Sequence, residues 1–313
     1  MNRIEILKDR AALLARSRAF FDSRKMTEVD CPLLTSKASV DLHIDLISAL
    51  FSEKETRYLH SSPEYGMKRL LVEGIGDCYQ LAHVFRDGEV GRKHNPEFMM
   101  AEWYRVGMPF KDFIEETLDY IRLFLGDIPS ETISYKEAFL KYLSIDPFLA
   151  TEQELIQLIQ EQDVAPYPSL FEEGRDALLN VLLGSLIEPK LGDGKLTVLS
   201  HYPASQAALA KAVETDGNRV ALRFEVYYKG VELANGYDEL ASPQEQRMRL
   251  TQANEERVLH GKRPLPIDES FLEALERGLP QACGVACGFD RLMMLRHQKS
   301  HISEVIPFGW EEA

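Results

Sequence analysis

Residues 78–106, CYQLAHVFRDGEVGRKHNPEFMMAEWYRV, decide how this chain is read. In a strand expected over 76–86, Tyr79, Leu81, His83 and Phe85 alternate with Cys78, Gln80, Ala82 and Val84. A second strand expected over 97–106 sets Phe98, Met100, Glu102 and Tyr104 on one face, with Glu97, Met99, Ala101 and Trp103 on the other. A period of two is the mark of a pleated strand. The intervening loop is charged and carries Gly88, Gly91 and Pro96, so the two strands are expected to form a hairpin. Arg86 ends the first strand, in Phe85-Arg86-Asp87-Gly88-Glu89. An arginine in that position can grip a phosphate through two parallel N–H···O bonds. Phe98, on the face of Glu102 and Tyr104, would lay a flat apolar plate beside an acidic pocket. A solvated hairpin with Phe98 in the core fits the same spacing, which leaves both readings open.

Outward from the hairpin, the N-terminal segment reads as a helix with an apolar stripe of Ile4, Leu7, Ala11, Leu14 and Phe21, and Pro32 closes the region. Helical patterns follow at 111–125, 134–143, 151–162 and 172–187, giving a mainly helical insertion over about 126–195 of a single domain, 1–313. Strand character returns at 195–202 and 219–228, and Lys229-Gly230 turns the chain into Val231–Asn235. Helices are expected at 243–260 and 268–277, and GVACGFDRLMMLRHQ reads as a Gly-rich strand running into a helix. Strands mixed with long helices, without regular βαβ alternation, predict an α+β fold around an antiparallel sheet flanked by helices.

Three further clusters could carry chemistry. A turn over 227–230 would set Glu225 opposite Glu232, and two facing carboxylates repel unless a hard cation such as Mg²⁺ sits between them. If one of the pair faces solvent, they never meet. The run Gly284-Val-Ala286-Cys287-Gly288-Phe-Asp290-Arg291 lets a backbone approach a ligand closely and puts an arginine in the first turn of a helix. Cys283 and Cys287, four residues apart, lack further ligands and read as small buried residues. Ser62-Pro63-Glu64 starts a helix, with Ser62 as N-cap and Pro63 at the first helical position, and Glu64 could reach a ligand amine.

Composition narrows the function classes. The 313 residues hold 36 Lys+Arg against 50 Asp+Glu, a net charge of -14, which argues against a broad nucleic-acid binder without excluding a local basic groove. Hydrophobic residues at 45% are enough for a packed core. No apolar run is long enough to span a membrane, and the N-terminus has neither the h-region of a secretory signal nor the acid-poor pattern of a presequence. Four cysteines are too few and too irregular for a disulfide framework, so a cytoplasmic protein is expected.

Taken in order, these motifs resemble the class II aminoacyl-tRNA synthetases, over about residues 4–310. Asp30-Cys31-Pro32-Leu33-Leu34 looks like motif 1, Phe85-Arg86 through Glu102 like motif 2, and Gly288-Phe289-Asp290-Arg291 like motif 3. His94-Asn95-Pro96-Glu97-Phe98 and Glu232-Leu-Ala-Asn235-Gly are similar to the lysyl enzymes in particular. Those enzymes carry an N-terminal OB-fold that reads the anticodon. Here the catalytic pattern opens within the first residues, so the resemblance is to short paralogues of the lysyl enzymes that attach (R)-β-lysine to a lysine of elongation factor P. Arg223-Phe-Glu-Val-Tyr-Tyr-Lys-Gly and Tyr202-Pro-Ala-Ser-Gln also look like these paralogues. Ala286, where lysyl-tRNA synthetases have Gly, would narrow the amino-acid pocket.

The resemblance implies an ATP-dependent, AMP-forming ligase. Arg86 would hold the α-phosphate and Arg291 the γ-phosphate. Phe98 would stack on adenine, with Asp87, Gly88, Glu89, His94, Asn95, Leu233 and Gly288 lining the nucleotide. Glu225 and Glu232 would hold Mg²⁺, with Glu232 also at the ATP site. Ser62, Pro63 and Glu64 would receive the reacting end of the amino acid. Glu102, Tyr104, Asn235 and Glu239 would hold its distal ammonium, with Ala286 shaping the pocket. A homodimer through motif 1 and no anticodon-dependent tRNA binding are further implications. The family's motif 2 reads Arg-x-Glu, whereas this chain has Gly88 and then Glu89, which leaves the adenine contact at this point to backbone groups or Glu89. The rival readings are a truncated lysyl-tRNA synthetase activating α-lysine and a non-catalytic ATP-binding paralogue.

Overall fold

The computed structural model describes residues 2–37, 39–167 and 169–313. The chain divides into two compact units, Met1–Gly126 with Glu239–Ala313, and Asp127–Asp238.

The expected hairpin forms the centre of the first unit. Cys78–Phe85 and Glu97–Val106 pair antiparallel with Gln80 opposite Glu102, and Thr27–Glu28 adds a short parallel strand beside Cys78–Phe85. On the other side Ala282–Gly288 runs antiparallel to Glu97–Val106, with Gly284 opposite Tyr104 and Ala286 opposite Glu102. Directly opposed residues share a face. Gln80, Glu102 and Ala286 therefore form one row across three strands, and Cys78, Tyr104 and Gly284 form the next. The reverse face is apolar: Trp103 is fully buried, and Phe21 stacks on Tyr79 with ring centroids 4.2 Å apart.

The N-terminal helix, Arg3–Ser23, begins with a capping box between Asn2 and Glu5. It packs on a face different from the expected stripe. Ile6, Arg10, Leu13, Ser17, Phe20 and Phe21 are buried, whereas Ile4 is exposed. The periodicity misleads because two polar residues belong to the packed face. Arg10 pairs with Asp290, and Ser17 Oγ lies 3.1 Å from Tyr120 Oη. A second, three-stranded sheet of Leu34–Thr35, Glu55–Leu59 and Ser48–Phe51 was not expected. Its residues are exposed or half-buried throughout, so no alternation marks them.

In the second unit Asn218–Tyr228 pairs antiparallel with Val231–Asp238 and with Leu196–Pro203, and Ala212–Thr215 adds to its early part. Ser130–Ser134 runs parallel to Leu196–Pro203. The helices Tyr135–Leu143, Glu152–Glu161 and Arg175–Leu182 contribute Phe139, Leu155, Ile159, Leu179 and Leu182 to an apolar core that includes Leu199 and Tyr202. The expected helix over 172–187 is shorter than its pattern: a 3-10 turn precedes it and a π turn, Leu183–Ile187, follows. Among the described residues no helix is long and apolar enough to cross a membrane.

Asp290 ties the first unit together. It is buried in the first turn of Phe289–Arg296, bonds Arg10, and its Oδ2 accepts the Met99 N–H at 2.8 Å. Arg10→Met is expected to lower stability by about 3 kcal/mol, because it strands a buried carboxylate. Urea unfolding measures this, and a loss below about 1 kcal/mol would mean that Asp290 does not depend on Arg10.

Candidate active site

Arg86 follows the last residue of its strand, and its N–H donates to Pro96 O at 2.9 Å. The guanidinium carbon lies 5.1 Å from the Phe98 ring centroid, so Arg86 and the aromatic plate share one surface, as alternation along the hairpin predicts. The Arg86 Nε is buried without a hydrogen-bond partner, and Glu89 approaches Nη1 only to 3.6 Å. A buried donor without an acceptor is costly and is the feature an anionic ligand relieves. Gly88 has φ +74, a backbone position where a glutamate would be strained, and Glu89 makes the carboxylate contact to Arg86 instead. Asp87 is held through its N–H to Asp45 O at 2.8 Å.

Arg291 sits in the first turn of Phe289–Arg296, which Gly288 precedes, and its Nη2 is 2.7 Å from His94 Nε2. Burial, and then the charge of Arg291, pushes the His94 imidazole below its ordinary range, so a neutral ring accepting from Arg291 is favoured. The structure thus brings both expected phosphate arginines to the motif 2 loop. Asn95 has a structural task there: it donates to Glu97 O at 2.7 Å and accepts the Trp310 N–H at 3.0 Å.

The acidic cluster is built where the two rows through Glu102 and Tyr104 meet the start of the helix Glu64–Val72. Glu102 accepts from Ser62 Oγ at 2.7 Å and from Tyr104 Oη at 2.8 Å. Ser62 also accepts the Glu64 N–H at 2.9 Å. The helix begins at Glu64, with Pro63 in the cap position and Ser62 just before it, a shift of one from the expected cap. Glu64 and Glu239 meet at Lys68, whose Nζ is 2.5 Å from an oxygen of each. The contact with Lys68 is the ion pair that holds the Glu239 carboxylate. Burial pushes Glu102 up to about 7 and Glu239 up to about 8; Glu64 adds to both shifts, and Lys68 opposes them. Gly284 has no room for a side chain, since a Cβ there would run into the Tyr104 ring and the Glu239 carboxylate. Ala286, opposite Glu102, puts its methyl on this face.

Lys68 and Gly284 were not assigned roles from the sequence. The signal for Lys68 was present as a Glu–Lys pair four residues apart in an expected helix. Such pairs usually lie on a solvated surface, and here the lysine is buried. The four cysteines are buried and free, and burial pushes the Cys31 thiol up to about 11 and Cys78 up to about 12, values unsuited to a nucleophile.

The second unit corrects one expectation. Lys229 and Gly230, both with positive φ, make a two-residue turn, so Glu225 faces Asn235 and Glu232 faces Tyr227. A bulge between Val226 and Tyr227 accommodates Leu233 and keeps Glu225, Glu232 and Asn235 on one face. Repulsion between directly opposed carboxylates is thereby avoided. Glu225 Oε1 is 2.5 Å from Arg223 Nη2, and Oε2 accepts from Tyr202 Oη at 2.6 Å and from Tyr227 Oη. Both oxygens are taken by the chain's own donors, a poor fit to a magnesium ligand in this arrangement. Among the described residues no group of three or more His, Cys, Asp or Glu is arranged to hold a metal.

Comparison with known proteins finds relatives over nearly the whole chain. The family model for tRNA synthetases class II (D, K and N) matches residues 2–312. The chain is 43% identical over 307 residues to an elongation factor P–(R)-β-lysine ligase from Proteus mirabilis (strain HI4320), covering 96% of this chain and 94% of the relative. It is 42% identical over 312 residues to a Salmonella typhi protein of the same name, covering 98% and 95%.

Proposed function

We propose, for a chain that belongs to the family of class II tRNA synthetases (D, K and N), that it activates (R)-β-lysine with ATP and transfers it to a lysine of elongation factor P. The observation that carries this is the cluster of Glu64, Glu102 and Glu239, a site for a polycationic amino acid whose Glu102 lies on the same hairpin as Arg86. The name shared by relatives that the chain matches over nearly their whole length supports the choice of β-lysine and of elongation factor P.

The amino-acid carboxylate attacks the α-phosphorus in line, forming the aminoacyl-adenylate as pyrophosphate leaves. The ε-amine of the acceptor lysine then attacks the acyl carbon and AMP departs. Arg86 neutralises charge at the α-phosphate and Arg291 at the γ-phosphate, so the side chains act by positioning and electrostatics, with no covalent enzyme intermediate. A magnesium ion brought with ATP would neutralise charge on the phosphates. Glu232 is the carboxylate retained for it, and no step is assigned to Glu225. The Ala286 methyl disfavours α-lysine, whose amino group sits one carbon closer to the carboxylate. A homodimer through the segment around Asp30–Leu34 and independence from the tRNA anticodon belong to the same proposal.

The test is ATP–pyrophosphate exchange with (R)-β-lysine and α-lysine in parallel, followed by transfer assays with elongation factor P and tRNA. The expected result is preference for (R)-β-lysine and label on elongation factor P. Preference for α-lysine with charging of tRNA would overturn it.

The pocket also predicts a pH dependence. A carboxyl group held near 7 or 8 keeps a proton that an arriving ammonium expels. Binding of (R)-β-lysine should therefore release protons and tighten as pH rises from 6 to 8, while the ligand remains dicationic. The ligand-free chain should lose stability over the range from the ordinary carboxyl value of 4.5 up to about 8, because its unfolded form binds fewer protons there. Titration calorimetry in two buffers of different ionisation enthalpy measures the proton count. Proton uptake, or affinity unchanged across this range, contradicts the prediction.

A further inference from the structure

Lys68 is a cation buried inside a pocket that is expected to bind cations. Its side chain is 1% exposed, and its Nζ lies 2.5 Å from both Glu64 Oε1 and Glu239 Oε2. Glu64 and Lys68 occupy one turn of the helix Glu64–Val72, whereas Glu239 comes from far along the chain and is anchored through its N–H to Ala282 O at 2.9 Å. The lysine is thus the side-chain tie between the two carboxyl groups. Burial works against its charge, but Glu239 and Glu64 outweigh burial and raise its pKa, so it stays protonated.

The charge count around it is specific. Glu64, Glu102 and Glu239 supply three carboxyl groups, and Tyr104 and Ser62 contribute neutral hydroxyls that both serve Glu102. Among the described residues, Lys68 is the cation in contact with this group, through Glu64 and Glu239. One ammonium against three carboxyl groups leaves room for two more positive charges, the number carried by a diamino acid. A monoamino acid would leave one carboxyl group protonated and without a cation, and would forgo that ion pair.

We propose that Lys68 is a positioning and specificity residue of the amino-acid pocket: its ammonium ties Glu64 to Glu239 and sets the pocket's residual charge demand at two. This rests on the reading of the pocket as the amino-acid site. The lysine is not consumed and touches no reacting atom. It holds the two carboxyl groups at the separation the ligand meets and removes one of the three negative charges from the count.

Two variants test it. Lys68→Met keeps most of the side-chain volume and removes the charge. Lys68→Ala opens a cavity beside the carboxyl groups that an added amine can enter. Binding of (R)-β-lysine is measured by calorimetry, with ATP binding as the check on the rest of the site. Lys68→Met should bind (R)-β-lysine about 100-fold more weakly, as expected when one partner of a buried ion pair is lost, with ATP affinity within about threefold of the wild type. For Lys68→Ala, n-propylammonium should restore binding and n-propanol, similar in size but uncharged, should not. Unchanged or tighter binding by Lys68→Met overturns the proposal, as does equal rescue by amine and alcohol or rescue by neither. If the wild-type chain itself binds neither lysine isomer, the functional reading fails first, and that outcome is distinct from the failure of Lys68 alone.

Discussion

Arg86→Ala is expected to slow ATP–pyrophosphate exchange by about 10³-fold, the loss typical of removing a preorganised charge from a developing anion. The expectation rests on how the arginine is held. The backbone is clamped by the bond from its N–H to Pro96 O, the guanidinium lies over Phe98, and Nε is buried without an acceptor. The ligand-free protein therefore bears the cost of an unsatisfied donor, which an α-phosphate oxygen would remove. Deleting the side chain should leave thermal stability unchanged or slightly raised while activation collapses, a separation that a merely structural arginine would not show. Arg86→Lys keeps the charge but lacks the planar fork, so it should recover only part of the rate. Exchange within tenfold of wild type for the alanine variant would remove Arg86 from the chemistry.

The second large effect is expected at a residue without a side chain. Gly284 faces Tyr104 across the strand pair, and even a methyl group would overlap the Tyr104 ring and the Glu239 carboxylate. Both belong to buried groups that cannot swing into solvent, since Tyr104 donates to Glu102 and Glu239 is held beside Lys68. Gly284→Ala should cost about 1–3 kcal/mol of stability through overpacking and weaken (R)-β-lysine binding at least about 100-fold. ATP binding, proposed to rest on the motif 2 loop, should stay within about threefold. Calorimetry with each ligand, alongside urea unfolding, separates these effects. Retained amino-acid binding would show that Glu239 and Tyr104 can move aside, contrary to their packing.

How much of this could be read from residues alone varies from one place to another. The hairpin over 78–106 was legible because its alternation is strong and its loop is marked by Gly and Pro, and both strands form with Glu102 and Tyr104 on the expected face. The N-terminal helix was legible as a helix but not in its orientation. Its buried face includes Arg10 and Ser17, which are tolerated there because Asp290 and Tyr120, remote in sequence, receive them. The small sheet around Glu55–Leu59 was invisible because exposed strands carry no burial pattern. The order of Glu225, Glu232 and Asn235 along the hairpin was plain, but their register was not. A turn of two residues in place of four, which shifts the partner of Glu225 by two positions, and a bulge, which shifts it by one more, decide which carboxylate meets which partner.

The resemblance of the motifs to the class II synthetases carries the architecture and the family, and it implies the two arginines and the acidic residues as the site, since a motif is a set of side-chain identities at short, fixed separations. Only the tertiary structure decides that Lys68 lies inside the acidic pocket, that Gly284 must lack a side chain, and that Glu225 is already saturated by Arg223 and two tyrosines. Each of these depends on groups tens to hundreds of residues apart, or on a register of single residues. A buried charge is defined by the partners that surround it, and a linear pattern does not contain them.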